Sequence, residues 1–325
     1  MSSEMLRTHT VRIGARPAAR QHRSAAMTPS QRRLETMTWP ELQRQAARPG
    51  STVIWPFGAF EQHGPHLPLS TDALFADRIT DAVLAELDPA LPIWRLPLQH
   101  LGFSPEHQGF AGTLSLPAEL LISLVVNVGR QLELAGFRRL VLLNGHGGQI
   151  GLLEVAGRTL RSQHPRLAVL PCFLWRGPEG IGELIPEPER SQGLHAGLAE
   201  TSLMLHLAPE LTGSMRPSDG PHAVIRPIDG ATGARRAGDQ AGAPLDPSSA
   251  EARRAAGLPP EGWSLEGLAP CCWITSEFSA SGVLGSAEGA SADLGERLYQ
   301  RLVEGWRRRL DALLRSDWPP TSGAG

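Results

Sequence analysis

Short apolar runs and longer amphipathic stretches alternate along the chain, with glycine- and proline-rich turns between them. The segment 52-TVIWPFG-58 is rich in β-formers and closes on Pro and Gly, which predicts a buried strand. From Asp72 the spacing changes: Leu74, Phe75, Ile79, Val83, Leu84 and Leu87 recur at helical intervals, and Ser70, Thr71 or Asp72 can cap the helix. Residues 93–98 (IWRLPL) predict a second strand, followed by a loop rich in His, Gly and Pro to residue 112. A helix over 117–135 carries Leu120, Leu121, Leu124, Val125, Val128 and Leu132. Next, 138-RRLVLLNGHGGQ-149 reads as an apolar run and a glycine turn, then a helix over 150–163 and a strand over 167–175. The alternation predicts an α/β fold of parallel strands with crossover helices. Apolar runs without polar alternation predict strands covered on both faces.

Further helices are expected at 36–48, with Thr38 as cap and Pro40 just inside, at 195–207, and from about 288 to 314 after the element 282-GVLG-285. Residues 213–262 are Pro/Gly/Ala-rich and poorly periodic, and read as a long excursion. Residues 1–35 are expected to be a disordered leader or an over-called start, with Met27 a candidate beginning. One domain is expected over 36–315, and a loose tail over 316–325.

Hydrophobic residues make up 41% of the 325, enough for a sizeable core. The net charge of -2, with no basic run in the middle of the chain, argues against nucleic acid as a partner. The three cysteines, Cys172, Cys271 and Cys272, form no C-x-x-C pair, so a reducing, cytoplasmic setting is expected. No apolar run reaches the ~18 residues of a membrane helix, and the N-terminal segment lacks the apolar core of a secretory signal, so no membrane partner is expected.

Candidate chemistry gathers where strands or loops pass to helices. In 56-PFGAFEQHGPHLPLSTDA-73, Glu61 and His63 lie two apart and share a face if extended, while Asp72 opens a helix. Carboxylate and imidazole without thiolate suit zinc, manganese or iron(II). No arginine sits beside these acids, and the chain contains no lysine, so their negative charge calls for a cation. Asn144 and His146 in LLNGHGGQ lie at the expected C-terminal end of a buried strand, where open parallel sheets bind ligands. Taken alone, this glycine turn could equally cradle a phosphate. His195 and Glu200 in HAGLAETS are expected in a loop and in the first turns of a helix, respectively. Glu106 and His107 occupy a turn-rich loop, and Trp175 is a further candidate for contact with substrate, though core packing is the ordinary place for such a Trp. His66 has either a site role or merely satisfies a backbone group, and His100, His164, His206 and His222 read as incidental.

In this order, EQHGPHLPLSTD, FAGTLSL, LLNGHGGQ, HAGLAETS and SGVLG resemble the creatininase (creatinine amidohydrolase) family, from about Val53 to Trp306 apart from the excursion. The NGHGG and HAG-x-x-ETS forms are more similar to the wider family, which includes the peptidase of the mycofactocin system and a formamide deformylase, than to creatininase proper. The resemblance implies a three-layer α/β/α sandwich with a mainly parallel sheet, a homo-oligomer, often a hexamer, and two divalent metal ions, with zinc first and manganese or iron as alternatives. By position, it implies Glu61 and His146 on one ion, His63 on the other, Asp72 bridging, and His195 handling protons. Glu200 is the candidate that completes the second site. Creatinine-hydrolysing members carry a glutamate where this chain has Gly148, a departure that counts against creatinine itself. The implied reaction is cleavage of a C–N bond in a small cyclic or linear amide by a metal-bridging hydroxide. Trimming of a modified peptide precursor, formamide deformylation, a dinuclear phosphoesterase and a non-catalytic metal-stabilised binding protein are the alternatives. The scarcity of cations near the ligands disfavours phosphate.

Overall fold

The computed structural model describes residues 32–187, 189–220, 250–266 and 269–320. Four parallel strands form the central sheet: β1 (Thr52–Phe57), β2 (Ile93–Arg95), β3 (Arg139–Asn144) and β4 (Ala168–Phe173), in the order β2-β1-β3-β4. A separate antiparallel pair joins β5 (Ser218–Asp219) to β6 (Gly285–Ser286). The helices are α1 (Trp39–Ala46), α2 (Thr71–Glu86), α3 (Ala118–Ala135), α4 (Ile150–Gln163), the short α5 (Glu189–Gln192), α6 (Leu198–Leu207), the short α7 (Ala250–Ala255) and α8 (Thr275–Phe278), and α9 (Ala292–Arg315).

Alternation along the strands splits the core in two. Ile54, Val141 and Leu143 point into one apolar cluster with Phe75, Ile79 and Val83 of α2, Leu203 of α6 and Leu302 and Trp306 of α9. Val53, Trp55, Phe57, Leu140 and Leu142 point into the other, with Leu121 and Val125 of α3, Leu153 and Leu160 of α4, and Ala46 of α1. The result is the expected three-layer α/β/α sandwich. The chain leaves β1 towards β2 by way of α2, and reaches β3, on the other side of β1, by way of α3. Right-handed crossovers in opposite directions put these helices on opposite faces. The loops after β1 and β3 therefore diverge, and a crevice opens between them at the strands' C-terminal ends.

Several expectations on extent change. The ordered chain begins before residue 36: Arg32 is buried and donates to the carbonyls of Asp88, Leu91 and Ile93, and Leu34 joins the core. The C-terminal segment is not loose at its start, because Arg139 donates to the carbonyls of Ser316 and Trp318, both at 2.6 Å. Strand β4 is an edge with one exposed and four half-buried residues, so it is not covered on both faces. Its Pro171 suits an edge, where a missing N–H costs least. The expectations for residues 1–31 and for the middle of the excursion, 221–249, lie outside the described residues. No helix among the described residues is long and apolar enough to cross a membrane.

Candidate metal centre

Two loops and two helix starts meet at the C-terminal ends of β1 and β3. After β1 the chain folds back on itself, with the Glu61 N–H donating to the Leu69 carbonyl at 3.0 Å. This turns residues 61–63 inward beneath the start of α2. A Cβ on Gly58 would collide with the backbone of Ala73, and one on Gly145 would press on the Asp72 carbonyl. Glycine at both positions lets the first turn of α2 seat Asp72 against the two strand ends. The positive end of α2 favours the carboxylate there. Beyond β3, Asn144 latches the next turn: its Oδ1 accepts the His146 N–H and the Gln149 amide, and its Nδ2 donates to the His146 carbonyl.

The His195 loop is clamped to the strand-like segment at Leu284 by three backbone hydrogen bonds, two of them through His195 itself. Ala196 follows in the left-handed region at φ 54, a conformation that costs a non-glycine residue about 1–2 kcal/mol. Its N–H is held by Glu200 Oε2 at 2.6 Å. Glu189, from α5, accepts the N–H groups of Leu198 and Ser286 and braces the same loop.

Glu61, His63, Asp72, His107, His146 and His195 are all buried. His146 Nδ1 lies 3.2 Å from both Glu61 Oε1 and Asp72 Oδ2. His63 Nε2 lies 3.4 Å from Asp72 Oδ1 and 4.0 Å from Glu61 Oε1. His195 Nδ1 is 3.8 Å and His107 Nε2 3.6 Å from Glu61 Oε1, and Glu106 Oε1 is 3.4 Å from His146 Nε2. The sets Glu61/Asp72/His146 and His63/Asp72/Glu200 each bring three candidate ligand atoms within 4.8 Å of one another, and Asp72 is common to both. Glu61/His63/His195 and Glu61/Glu106/His107 meet the same distance criterion.

Both oxygens of Glu61, Nε2 of His63 and Oδ2 of Asp72 are buried with no hydrogen-bond partner. Orphaned acceptors of this kind are costly unless a cation sits among them. The outer side of each inner histidine is tied down: His63 Nδ1 lies 3.3 Å from the Glu61 carbonyl and His146 Nε2 3.0 Å from the Phe103 carbonyl. A carbonyl only accepts, so those nitrogens carry the hydrogen of the neutral rings, and once the rings are neutral the inward nitrogens are free to bind a metal. Among the described residues, no arginine forms an ion pair with Glu61, Asp72, Glu106 or Glu200. The donor set fits divalent zinc, manganese or iron.

The charges are strongly coupled. Burial works against a charged His63, but Asp72, then Glu200 and Glu61, outweigh it and raise its pKa to about 9. Burial likewise opposes charge on His146, yet Glu61, Asp72 and Glu106 hold its pKa well above the usual value. Burial also opposes the Asp72 carboxylate, and His63 and His146 still keep its pKa well below the carboxylate range. Burial pushes the Glu200 carboxyl up to about 7, against the pull of His63. His195 differs: burial, with His107 and His63 beside it, depresses its pKa well below the ordinary imidazole value.

Of the sequence candidates, Glu61, His63, Asp72, His146, Glu200 and His195 converge, and Glu106 and His107 join them. Trp175 does not: it packs edge-on against Phe75, with ring centroids 5.9 Å apart, alongside the first core cluster. His66 turns aside to the Thr201 hydroxyl at 2.9 Å. The space above Gly148 is filled by another loop, since a Cβ there would collide with Glu106 Oε1 and His146 Nε2. Sequence reasoning passed over Gln62 and Thr275, which both reach His107 Nδ1, at 2.9 and 2.8 Å. Gln62 stood in plain view between two candidate ligands, whereas nothing local marked Thr275, 168 residues from His107.

Comparison with known proteins identifies the family. The family model described as creatinine amidohydrolase matches residues 35–310. A mycofactocin precursor peptide peptidase of Mycobacterium tuberculosis is 35% identical over 266 residues, covering 80% of this chain and 84% of the relative. A creatinine amidohydrolase of Pseudomonas putida is 27% identical over 300 residues, covering 88% and 96%. Among solved structures, a mutant creatininase of Zn-Zn type superposes with a TM-score of 0.59 at 25% identity, covering 89% of this chain and all of that one. A manganese creatininase gives 0.57 at 26%, covering 88% and 99%. The chain belongs to the creatininase (creatinine amidohydrolase) family and is a hydrolase of carbon–nitrogen bonds.

Proposed function

We propose that this hydrolase depends on two divalent metal ions and cleaves an amide bond in a short peptide. The observation that carries the metal dependence is the set of buried groups without hydrogen-bond partners on Glu61, His63 and Asp72, whose ligand atoms lie close together and, among the described residues, meet no arginine. Glu61 and His146 would hold one ion, His63 and Glu200 the other, and Asp72 would serve both. Zinc is the first choice, because the donors are nitrogen and carboxylate oxygen and a zinc-type relative shares the fold. Bound there, divalent ions supply Lewis acidity for the amide carbonyl and acidify a water molecule.

The chain's own groups do the rest. His195 Nε2 donates to the Gln62 carbonyl at 2.7 Å, which leaves Nδ1 bare and turned towards the centre. The depressed pKa keeps this ring neutral, so it can accept a proton at Nδ1 and pass it to the leaving nitrogen. Transfer of this kind is worth roughly 10²–10⁴ in rate. Glu189, Leu284 and Glu200 hold the loop so that Nδ1 stays on target.

The peptide substrate is supported by the 35% identity to a peptide peptidase, against 27% to a creatinine amidohydrolase. It is also supported by Gly148, which stands where the creatinine-hydrolysing pattern has a glutamate and whose missing side chain makes room for Glu106. The test is a screen of metal-analysed protein against short peptides, cyclic amides and formamides, before and after chelation. The expected result is peptide turnover that is lost with the metal and restored by zinc or manganese. Turnover of cyclic amides alone shifts the substrate, and chelator-insensitive turnover contradicts the metal role.

A further inference from the structure

His107 is the odd member of the histidine cluster. Its Nδ1 faces the side-chain amide of Gln62 at 2.9 Å, and the orientation of that amide is fixed from two other directions. The Gly64 N–H donates to Gln62 Oε1 at 2.9 Å, and Gln62 Nε2 donates to the Gly282 carbonyl at 2.9 Å. Reversing the amide would set N–H against N–H and carbonyl against carbonyl in a buried place, at a cost of about 1–3 kcal/mol for each unmade bond. The second hydrogen on Nε2 therefore points at His107 Nδ1, which must accept. The Thr275 hydroxyl, 2.8 Å from the same nitrogen, can share that single lone pair only as the second donor of a three-centre bond. A neutral imidazole that accepts at Nδ1 carries its hydrogen on Nε2. That Nε2 is the nitrogen facing the centre, 3.6 Å from Glu61 Oε1.

Gln62 acts on His195 with the opposite sign, because its main-chain carbonyl takes the hydrogen from His195 Nε2 at 2.7 Å. The two rings stack with centroids 4.1 Å apart and planes 30° apart. One residue thus sets a bare nitrogen and an N–H side by side at the edge of the site.

We infer that Gln62 fixes His107 and His195 in opposite tautomers, and that His107, although close enough to be a metal ligand, is instead the catalytic hydrogen-bond donor that holds the substrate's carbonyl oxygen. A nitrogen carrying hydrogen has no lone pair for a metal. A preset donor beside the base stabilises the negative charge that develops on that oxygen as the carbonyl carbon becomes tetrahedral. Loss of one such donor costs roughly 10²–10³ in kcat. Gln62 is a positioning residue in this arrangement. The inference rests on the amidohydrolase reading for the role of His107, but not for its tautomer.

The experiment labels the histidines with nitrogen-15 and reads their tautomers by long-range nitrogen–proton correlation, in metal-free and zinc-loaded protein. The expected spectrum has His107 protonated on Nε2 in both states and His195 bare at Nδ1. In Gln62→Glu, a carboxylate replaces the donor, and the His107 hydrogen is expected to move to Nδ1 while kcat falls about a hundredfold. Should that variant fold poorly, His107→Ala and His107→Gln carry the test. Both are expected to keep the wild-type metal complement, with Ala losing roughly 10²–10³ in kcat and Gln, which keeps an N–H, recovering at least tenfold of it. Release of a metal by His107→Ala, or an Nδ1 hydrogen on His107 in an active, metal-replete wild type, overturns this inference alone. Failure of the wild type to bind metal or cleave any amide overturns the proposed function, whatever the tautomer.

Discussion

Two places in this molecule set histidine against carboxylate, and they are built differently. At the end of α4, His164 Nδ1 meets Glu133 Oε2 at 3.0 Å, while the other Glu133 oxygen accepts the Arg166 N–H at 2.9 Å. Every strong acceptor there is used, and His164 remains partly open to water. At the end of β1, Glu61 has three histidines within 3.8 Å of Oε1, is fully buried, and has no hydrogen bond to either oxygen. The first arrangement is complete in itself and pins a loop. The second is incomplete, and its incompleteness marks it as a place for something the chain does not supply. Proximity of His to Glu is common to both, so the difference lies in burial and in the unmet acceptors.

The sharpest way to break that contrast is to remove Asp72, which both candidate ion sites share. Asp72→Ala is expected to lose bound metal and activity together, the latter by at least about 10³ in kcat/KM, since a metal-activated nucleophile is most of the chemistry. Elemental analysis checks it, and a normal metal content in the variant would remove Asp72 from the site. His195→Ala separates chemistry from binding. It is expected to keep its metals and lose roughly 10²–10⁴ in kcat. A near-wild-type rate would place the proton transfer elsewhere.

A smaller effect concerns pH. In the metal-free site the His63 pKa is raised to about 9, so at neutral pH the ring holds a proton that must leave before Nε2 can act as a ligand. A raised pKa means that the charged form is favoured below it. Metal affinity is therefore expected to rise with pH, about tenfold per unit for each proton displaced, and to level off above about 9. The same pairing stabilises the metal-free fold below the ordinary imidazole pKa of 6.5 and is lost as pH rises through 9. Titration calorimetry in buffers of different ionisation enthalpy counts the protons released. An affinity flat between pH 6 and 9 would mean that His63 is already neutral.

Much of this was legible from residue order because the site is made at element ends. The buried runs at 52–58 and 138–144 and the period from Asp72 onward are local signals, and they place Glu61, Asp72 and His146 at the same edge of a parallel sheet. His195 and Glu200 were legible as a loop and a helix start for the same reason. Contacts that depend on distant chain were not. Thr275 beside His107, Leu284 beside His195 and the carbonyls of Ser316 and Trp318 on Arg139 have no periodicity to announce them. Trp175 misled as a candidate because an indole looks alike in sequence whether it lines a cavity or fills a core, and here it sits against Phe75. The packing of residues 32–35 went unread because it hangs on a buried guanidinium, Arg32, and one arginine among many gives no sign of burial.

The other half of the contrast predicts almost nothing for activity. Glu133→Gln keeps the size of the side chain and removes the charge that faces His164. The amide oxygen still accepts the Arg166 N–H, and the amide nitrogen can donate to His164 Nδ1 in its other tautomer, so what is lost at this corner is the help of the charge. The expected cost is at most about 1 kcal/mol of stability, the scale of one such ionic contact near the surface. It should appear as a modest drop in the denaturant midpoint with an unchanged slope. Metal content and kcat/KM should match the wild type, because no residue of this corner belongs to the groups that can hold an ion. If Glu133→Gln instead shed metal or slowed turnover, the two His–carboxylate corners would be coupled through α4 and β3, and the division between a finished structural pair and an unfinished functional one would fail.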